Sequence, residues 1–348
     1  MSKIDHAELN ASYINATFSS VRHLLDDPTV SELMLNPFSL NIGQMWIIRT
    51  NGVHEKAQSL TGEPIFWDNM KTSQLFQLLS GQNTKITHSK RPILECNIPI
   101  LNYRFSGVLQ PATKMSHLFC IRKFTVRELT FDDYVAQGLL SSEHAEILRL
   151  WIKHHFNVLI CGVMFSGKTT FENTYIAEIL AQNPNERIIC IEDTPELSYC
   201  QGANIAPLIC SNEVGTDDHI KTSMRLTGQR IVVGEIRDKA AYSLYKVWGT
   251  GHRGGITSMH AGSFDEGMSR LEKMCLEHHE CDKIDREDLA RVIDGVIVIN
   301  VKRVKKVDEL GNISFDLQRE INQIVEVTGY DSAFEKYTFK PILGDIAN

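Results

Sequence analysis

The sequence predicts an α/β chain in two parts: a smaller N-terminal α+β domain, then a largely parallel sheet with helices on both faces. Three observations predict it. Beyond about residue 146, short apolar runs alternate with helix-period segments, the pattern of strand–helix–strand units in a parallel sheet. One apolar run, Val158–Cys161, leads into a loop with two glycines and then into a helix. Before residue 127 the strand-like runs are separated by turn formers instead, among them Pro37, Gly43, Asn51–Gly52, Gly62 and Pro64.

The elements follow in order. Ile14, Phe18, Val21 and Leu25, with Leu24 beside them, form an i, i+4, i+7 stripe, so residues 8–26 are expected to be an amphipathic helix packed on its own domain. Gln44–Thr50, Ile93–Ile100, Tyr103–Leu109 and His117–Lys123 read as strands. The expected division is an N-terminal domain over 1–127, a polar linker over 128–145 and a second domain over 146–348. In the second domain, strands are expected at Val158–Cys161, Ile188–Ile191, Ile231–Val233, Ile256–Met259 and Val292–Val301. Helices are expected at Thr169–Ala181, His219–Leu226, Lys239–Val247 and Phe264–His278. The tail, 302–340, reads as an antiparallel hairpin turning at Asp308–Gly311.

Bulk properties narrow the function. The chain has 348 residues, enough for about two domains of roughly 150 residues each. Its net charge of −7 argues against a duplex-binding protein, which is more often basic. The longest apolar run, Val158–Phe165, falls far short of the ~20 residues of a spanning helix. Met1–Asp5 lacks the basic start of a secretory signal, so a cytosolic location is expected, with contact at a membrane surface allowed. The basic run Lys302, Arg303, Lys305 and Lys306 is read first as a solvated hairpin and second as a lipid contact. The eight cysteines form no C-x-x-C pair, and several lie in apolar runs, where a free thiol behaves as a small hydrophobe. Cys275, His278, His279 and Cys281 match no standard zinc spacing.

Gly162-Val163-Met164-Phe165-Ser166-Gly167-Lys168-Thr169 fits G-x-x-x-x-G-K-[ST]. In such a loop the glycines let backbone N–H groups point inward at phosphate oxygens, and the helix that follows aims its positive end at the same anion. Lys168 is the residue that reaches the β- and γ-phosphates of ATP, and the Thr169 hydroxyl is the Mg²⁺ ligand. Thr170 closes the predicted binding segment. The apolar tip, Val163 to Phe165, is unusual for a loop that wraps closely around phosphates.

Two further strands end in carboxylates: Ile188–Ile191 in Glu192-Asp193, and Ile231–Val233 in Gly234-Glu235. Ligands bind at the C-terminal ends of parallel strands. Phosphoryl transfer to water needs one acid on the metal and another on the attacking water. Glu235 is assigned to Mg²⁺ and Glu192 to the water. His260, at the end of the strand after Gly249–Gly255, is a candidate hydrogen-bond donor to the γ-phosphate.

Taken in order, the phosphate-binding loop, Ile191–Leu197, Val233-Gly234-Glu235-Ile236-Arg237 and Thr250-Gly251-His252 through Ser258-Met259-His260-Ala261 resemble the motifs of the secretion traffic ATPases. The match is closest to the conjugative-transfer (TrbB-type) and type IV secretion branch. Glu32–Pro37, Arg104-Phe105 to Pro111, and Ile121-Arg122-Lys123 carry that part of it. The resemblance covers about residues 28–301. It implies a RecA-like P-loop domain, a hexameric ring, ATP at the domain hinge and inner-membrane channel components as partners. By position it also implies that Arg104 and Arg122 contact phosphates and that Arg225 acts as an arginine finger.

Two departures stand out. The family usually has small residues at Val163–Phe165, and it tends to read Arg-Met-Arg-Pro-Asp-Arg where this chain reads Arg225-Leu226-Thr227-Gly228-Gln229-Arg230. The four-cysteine module of type II secretion motors is absent from the sequence. The alternatives are a pilus or type II secretion motor, a nucleotide-gated scaffold with little turnover, and a nucleic-acid translocase.

Overall fold

The computed structural model describes residues 12–82, 92–98, 101, 103–123, 129–197, 202–211, 213–307 and 313–344. The chain divides into two units, Met1–Thr125 with Arg303–Leu317, and Val126–Lys302 with Gln318–Asn348.

In the first unit α1 covers residues 12–17, a 3-10 turn covers Ser19–Val21, and α2 covers Arg22–Asp26. The stripe Ile14, Phe18, Val21 and Leu25 is buried. The helix is interrupted at Phe18, however, and tightens before it resumes, rather than running unbroken. β1 (Val30–Pro37), β2 (Ile42–Arg49), β3 (His54–Lys56) and β4 (Phe66–Asp68) precede α3 (Asn69–Gln82). β5 (Ile93–Ile98), β6 (Tyr103–Val108) and β7 (Leu118–Lys123) complete a seven-stranded sheet ordered β3-β2-β1-β7-β6-β5, with β4 also on β2. Phe76 of α3 meets Phe105 of β6 edge to face, and Phe105 meets Phe119 of β7 at a tilt, with ring centroids 5.1 and 5.5 Å apart.

The second unit opens where a linker was expected. Thr130 caps α4 (Phe131–Ala136), and its hydroxyl and Asp133 form a reciprocal capping box. Ser141 caps α5 (Ser142–Lys153). Phe131, Tyr134, Leu140 and Ala145 are buried in the core, so this stretch is part of the fold; its polar residues serve as caps rather than as spacers. Then follow β8 (Val158–Gly162), α6 (Lys168–Gln182), β9 (Ile188–Glu192), β10 (Ile205–Ile209) and α7 (Thr216–Ser223). β11 (Arg230–Val233), α8 (Ala240–Gly249), β12 (Ile256–Met259), α9 (Phe264–Leu276) and α10 (Arg286–Val292) come next. β13 (Gly295–Val307), β14 (Ile313–Asp331) and β15 (Lys336–Leu343) close the chain.

The eight strands order as β10-β9-β11-β12-β8-β13-β14-β15. The pairs from β10 through β13 are parallel, and β14–β15 is antiparallel. β13 and β14 are sheet neighbours, and the expected turn at Asp308–Gly311 lies outside the described residues.

Residue alternation explains why these strands are apolar throughout. Val158, Ile160, Ile188 and Cys190 belong to a core with α4, α5 and α6. Leu159, Cys161, Ile189 and Ile191 belong to a second core with α7, α8 and α9. A strand covered on both faces has no solvent side to make polar. Among the described residues no helix is long and apolar enough to cross a membrane, and no group of three or more His, Cys, Asp or Glu is placed to hold a metal. His278 is instead buried against Asp217 at 3.7 Å and between the rings of Tyr242 and His279.

Candidate functional site

Four parallel strands, β8, β9, β11 and β12, end on one edge of the second sheet. The loop after β8 is shaped by its glycines. A Cβ at Gly162 would lie 2.4 Å from both the Ile299 carbonyl and Ser166 Oγ, so no other residue fits. Gly167 caps α6 at φ 94 and makes no side-chain cap. The amides of such a first turn are what an anion at a helix N-terminus uses. Ser166 Oγ is buried with no hydrogen-bond partner among the described residues. These features fit a phosphate group.

Lys168 is buried. Its Nζ donates to the carbonyls of Gly162 (3.0 Å) and Val163 (3.2 Å) of its own loop and to His260 Nδ1 at 3.3 Å. Since Nδ1 accepts from an ammonium, His260 carries its proton on Nε2, which faces Glu235 Oε1 at 3.1 Å. Burial, and then the Lys168 charge, hold the His260 pKa below its usual value, against the pull of Glu235. The second oxygen of Glu235 accepts from Arg237 Nη2 at 2.6 Å. Arg237 also lies 3.8 Å from Asp193, whose other oxygen accepts from the Thr216 hydroxyl at 3.1 Å. Lys168, His260, Glu235, Arg237, Asp193 and Thr216 thus form one continuous polar chain.

Glu192 is buried, and its Oε1 accepts the N–H groups of Glu196 (2.8 Å) and Leu197 (2.7 Å). It therefore holds the Asp193–Leu197 loop in this state. The Thr169 hydroxyl donates to Glu196 at 3.4 Å. Thr169, Glu192, Asp193, Glu196, Glu235 and Arg237 line one cleft, so the two residues assigned to Mg²⁺, Thr169 and Glu235, share a site with hard oxygen donors. Thr170, in the first turn of α6, accepts the Thr174 hydroxyl on its carbonyl.

The apolar tip is exposed at Val163, Met164 and Phe165. Phe165 adopts φ 63, the left-handed region. That conformation costs a residue with a Cβ about 1–2 kcal/mol.

Three arginines carry the remaining assignments, Arg104, Arg122 and Arg225. Arg104 and Arg122, in the first unit, are directly opposite across β6 and β7, and Glu32 of β1 is opposite Arg122 on its other side. Opposite residues share a sheet face, so two cations stand together with Arg122 Nε 3.9 Å from Glu32. Arg225 lies in the exposed turn after α7, and its guanidinium makes no hydrogen bond or ion pair among the described residues. Arg230, by contrast, is buried: it pairs with Glu186 at 3.0 Å and donates to the Gly254 and Ile152 carbonyls.

Sequence reasoning passed over three residues. Arg237 orients Glu235, and Glu196 meets Thr169. Glu172, one turn into α6, is fully buried with neither oxygen hydrogen-bonded among the described residues. Burial, and then the charges of Glu192, Glu235 and Glu196, push its pKa well above the usual carboxyl value. The signal was a glutamate four residues after Lys168, inside an otherwise buried helix.

Comparison with known proteins agrees with this geometry. The family described as Type II/IV secretion system protein matches residues 87–325. The conjugal transfer protein TrbB of Rhizobium radiobacter is 32% identical over 306 residues, 88% of this chain and 86% of the relative. The type IV secretion system protein VirB11 of Bartonella henselae is 26% identical over 354 residues, 86% of this chain and 97% of the relative. The solved structure of the Yersinia pseudotuberculosis ATPase DotB superposes with a TM-score of 0.58 at 15% identity, covering 92% of this chain and 80% of that one; it shows the shared fold. With its phosphate loop, its two acidic strand ends and its histidine strand in the family's order, the chain belongs to the Type II/IV secretion system protein family, in the type IV secretion and conjugal-transfer branch.

Proposed function

We propose that the chain hydrolyses ATP with Mg²⁺, as a homo-oligomeric ring, to power a type IV secretion or conjugation apparatus. The observation that carries this reading is the convergence of Lys168, Thr169, Glu192, Glu235 and His260 on one sheet edge, in a chain 32% identical to a conjugal transfer protein. Mg²⁺, when bound, would offset the charge on the phosphates. Thr169 and Glu235 hold the metal side. Lys168 leaves the carbonyls of Gly162 and Val163 and turns to the phosphates. Glu192, released from the Glu196 and Leu197 amides, orients the attacking water. His260, neutral at physiological pH, donates one hydrogen bond and couples Lys168 to Glu235.

In this reading Arg104 and Arg122 supply phosphate contacts from the N-terminal unit. A fixed fork of donors that is always charged suits that role. Arg225 reaches a neighbouring subunit's site, which fits a guanidinium with no hydrogen bond or ion pair among the described residues. The ring works at the inner face of the bacterial inner membrane, against channel components embedded there. The acidic net charge supports a protein partner rather than sequence-specific binding to DNA.

The test is steady-state ATP hydrolysis by the wild type beside Lys168→Ala and Glu235→Gln, with particle mass followed by light scattering. Mg²⁺-dependent turnover from a ring-sized particle, reduced roughly hundredfold or more in both variants, is the expected result. Tight ATP binding without turnover would establish a second reading, a nucleotide-gated scaffold. The left-handed Phe165 and the exposed apolar tip motivate that alternative, because a stiff, bulky loop slows nucleotide exchange.

A further inference from the structure

The tip of the phosphate loop combines two features that belong together. Phe165 sits at φ 63, where a side chain is disfavoured and glycine is the usual occupant. The carbonyl of that same residue accepts a hydrogen bond from Arg319 Nε at 3.4 Å, across 154 residues of sequence. The stem of Arg319 lies along the same loop: a Cβ built at Gly167 would meet Arg319 Cδ at 3.2 Å. Arg319 belongs to β14, in the same unit as the loop. We propose that Arg319 is a positioning residue for nucleotide binding, bracing the left-handed turn at Phe165 from outside so that the loop amides stay aimed at the phosphates.

A phosphate loop with glycine at this position reaches the left-handed region at little cost. Phenylalanine does not, and a loop under that strain relaxes unless something outside it fixes the peptide plane. A guanidinium on the Phe165 carbonyl fixes that plane, and its donors have a rigid geometry that an ammonium lacks. The brace is therefore needed because a residue with a Cβ holds the left-handed position.

This inference rests on the ATP-binding reading above, and the experiment separates the two. Affinity for a fluorescent ATP analogue is measured directly, without turnover, on the full chain and on Arg319→Ala, Arg319→Lys, Phe165→Gly and the Phe165→Gly/Arg319→Ala double variant. Hydrogen exchange of the 163–168 amides is followed alongside. The expected result is a roughly tenfold loss of affinity in Arg319→Ala, the size of one lost charge-assisted hydrogen bond, with faster exchange in the loop. Arg319→Lys recovers part of it. In the Phe165→Gly background, where glycine holds the turn unaided, removing Arg319 costs less than about twofold by the same reasoning. An equal loss in both backgrounds would show that Arg319 acts on the nucleotide by its charge alone and would overturn the brace. So would full affinity and unchanged exchange in Arg319→Ala. A wild type that binds no nucleotide sinks the ATP reading, and loop exchange in Arg319→Ala then decides the brace by itself.

Discussion

Replacing Glu172 with methionine should make this protein more stable, and increasingly so as pH rises. Glu172 has none of its surface exposed, and neither carboxyl oxygen is hydrogen-bonded among the described residues. Leaving such a group unsatisfied costs about 1–3 kcal/mol. Methionine has a similar length and fills irregular apolar space. Burial holds the folded-state pKa of Glu172 well above its ordinary value of 4.5, and the nearby charges of Glu192, Glu235 and Glu196 push it the same way. The folded chain therefore keeps a proton that the unfolded chain releases above that pH. Folding takes up a proton, so stability is fully present below pH 4.5 and falls as pH climbs toward the folded-state pKa. The slope approaches about 1.4 kcal/mol per pH unit for one proton.

Thermal unfolding of the wild type and Glu172→Met at pH 5.5 and pH 8 measures both effects. For a unit of about two hundred residues, a gain of about 2 kcal/mol raises Tm by about 4–8 °C. The gain should be larger at pH 8 than at pH 5.5, and Glu172→Gln should lose the pH slope while keeping a polar side chain. A Glu172→Met variant less stable than the wild type at both pH values would refute the reasoning, because it would mean that the carboxyl serves a partner in the fold. Parallel pH dependence in the wild type and the glutamine variant would refute it equally.

Two further substitutions test the electrostatics. Arg230→Ala strands the buried Glu186 carboxylate and two carbonyls, so chemical denaturation should show a loss of about 3–5 kcal/mol. A loss below about 1 kcal/mol would place Arg230 among exposed pairs. Arg237→Ala removes the donor that fixes one oxygen of Glu235. The rate of ATP hydrolysis should fall roughly tenfold or more, with a matching rise in the Mg²⁺ concentration needed for half-activation, as when a group orienting a metal ligand is lost. An unchanged Mg²⁺ requirement would mean that Glu235 orients itself.

The strands of the second sheet that carry the motifs were readable because each sits where a local rule puts it. The apolar runs Val158–Cys161, Ile188–Ile191 and Ile231–Val233 are each too short for a helix and too apolar for a surface strand, which left a covered parallel sheet as their reading. Residues 128–145 misled because polarity was taken for exposure. Thr130, Asp133 and Ser141 are polar because they cap helix ends, while Phe131 and Tyr134 between them are buried. β10 has no fully buried residue and carries Pro207 within it, so its pattern was weak. The partition of 303–317 with the first unit had no signal at all: β13 and β14 are single long strands in sequence, and only tertiary contacts divide them.

Arg225 and Arg230 show where reading by position stops. Both fall in a segment that departs from the family's usual arginine pattern, and both carry the same charge. One is exposed, with no guanidinium partner among the described residues, and the other is buried against Glu186, Gly254 and Ile152. Sequence spacing assigns residue types to motifs, but the cost of desolvating a guanidinium decides which of them is free to act on a partner. A buried arginine is committed to the carboxylate and carbonyls that offset that cost. The same logic runs through the site. Lys168 rests on its own loop carbonyls, Glu192 on two backbone amides, and Glu235 between Arg237 and His260. In the proposed function, Lys168, Glu192 and Glu235 are already paired within the chain, so ATP and Mg²⁺ would replace these contacts. The free energy of that exchange would then be available to convert into movement.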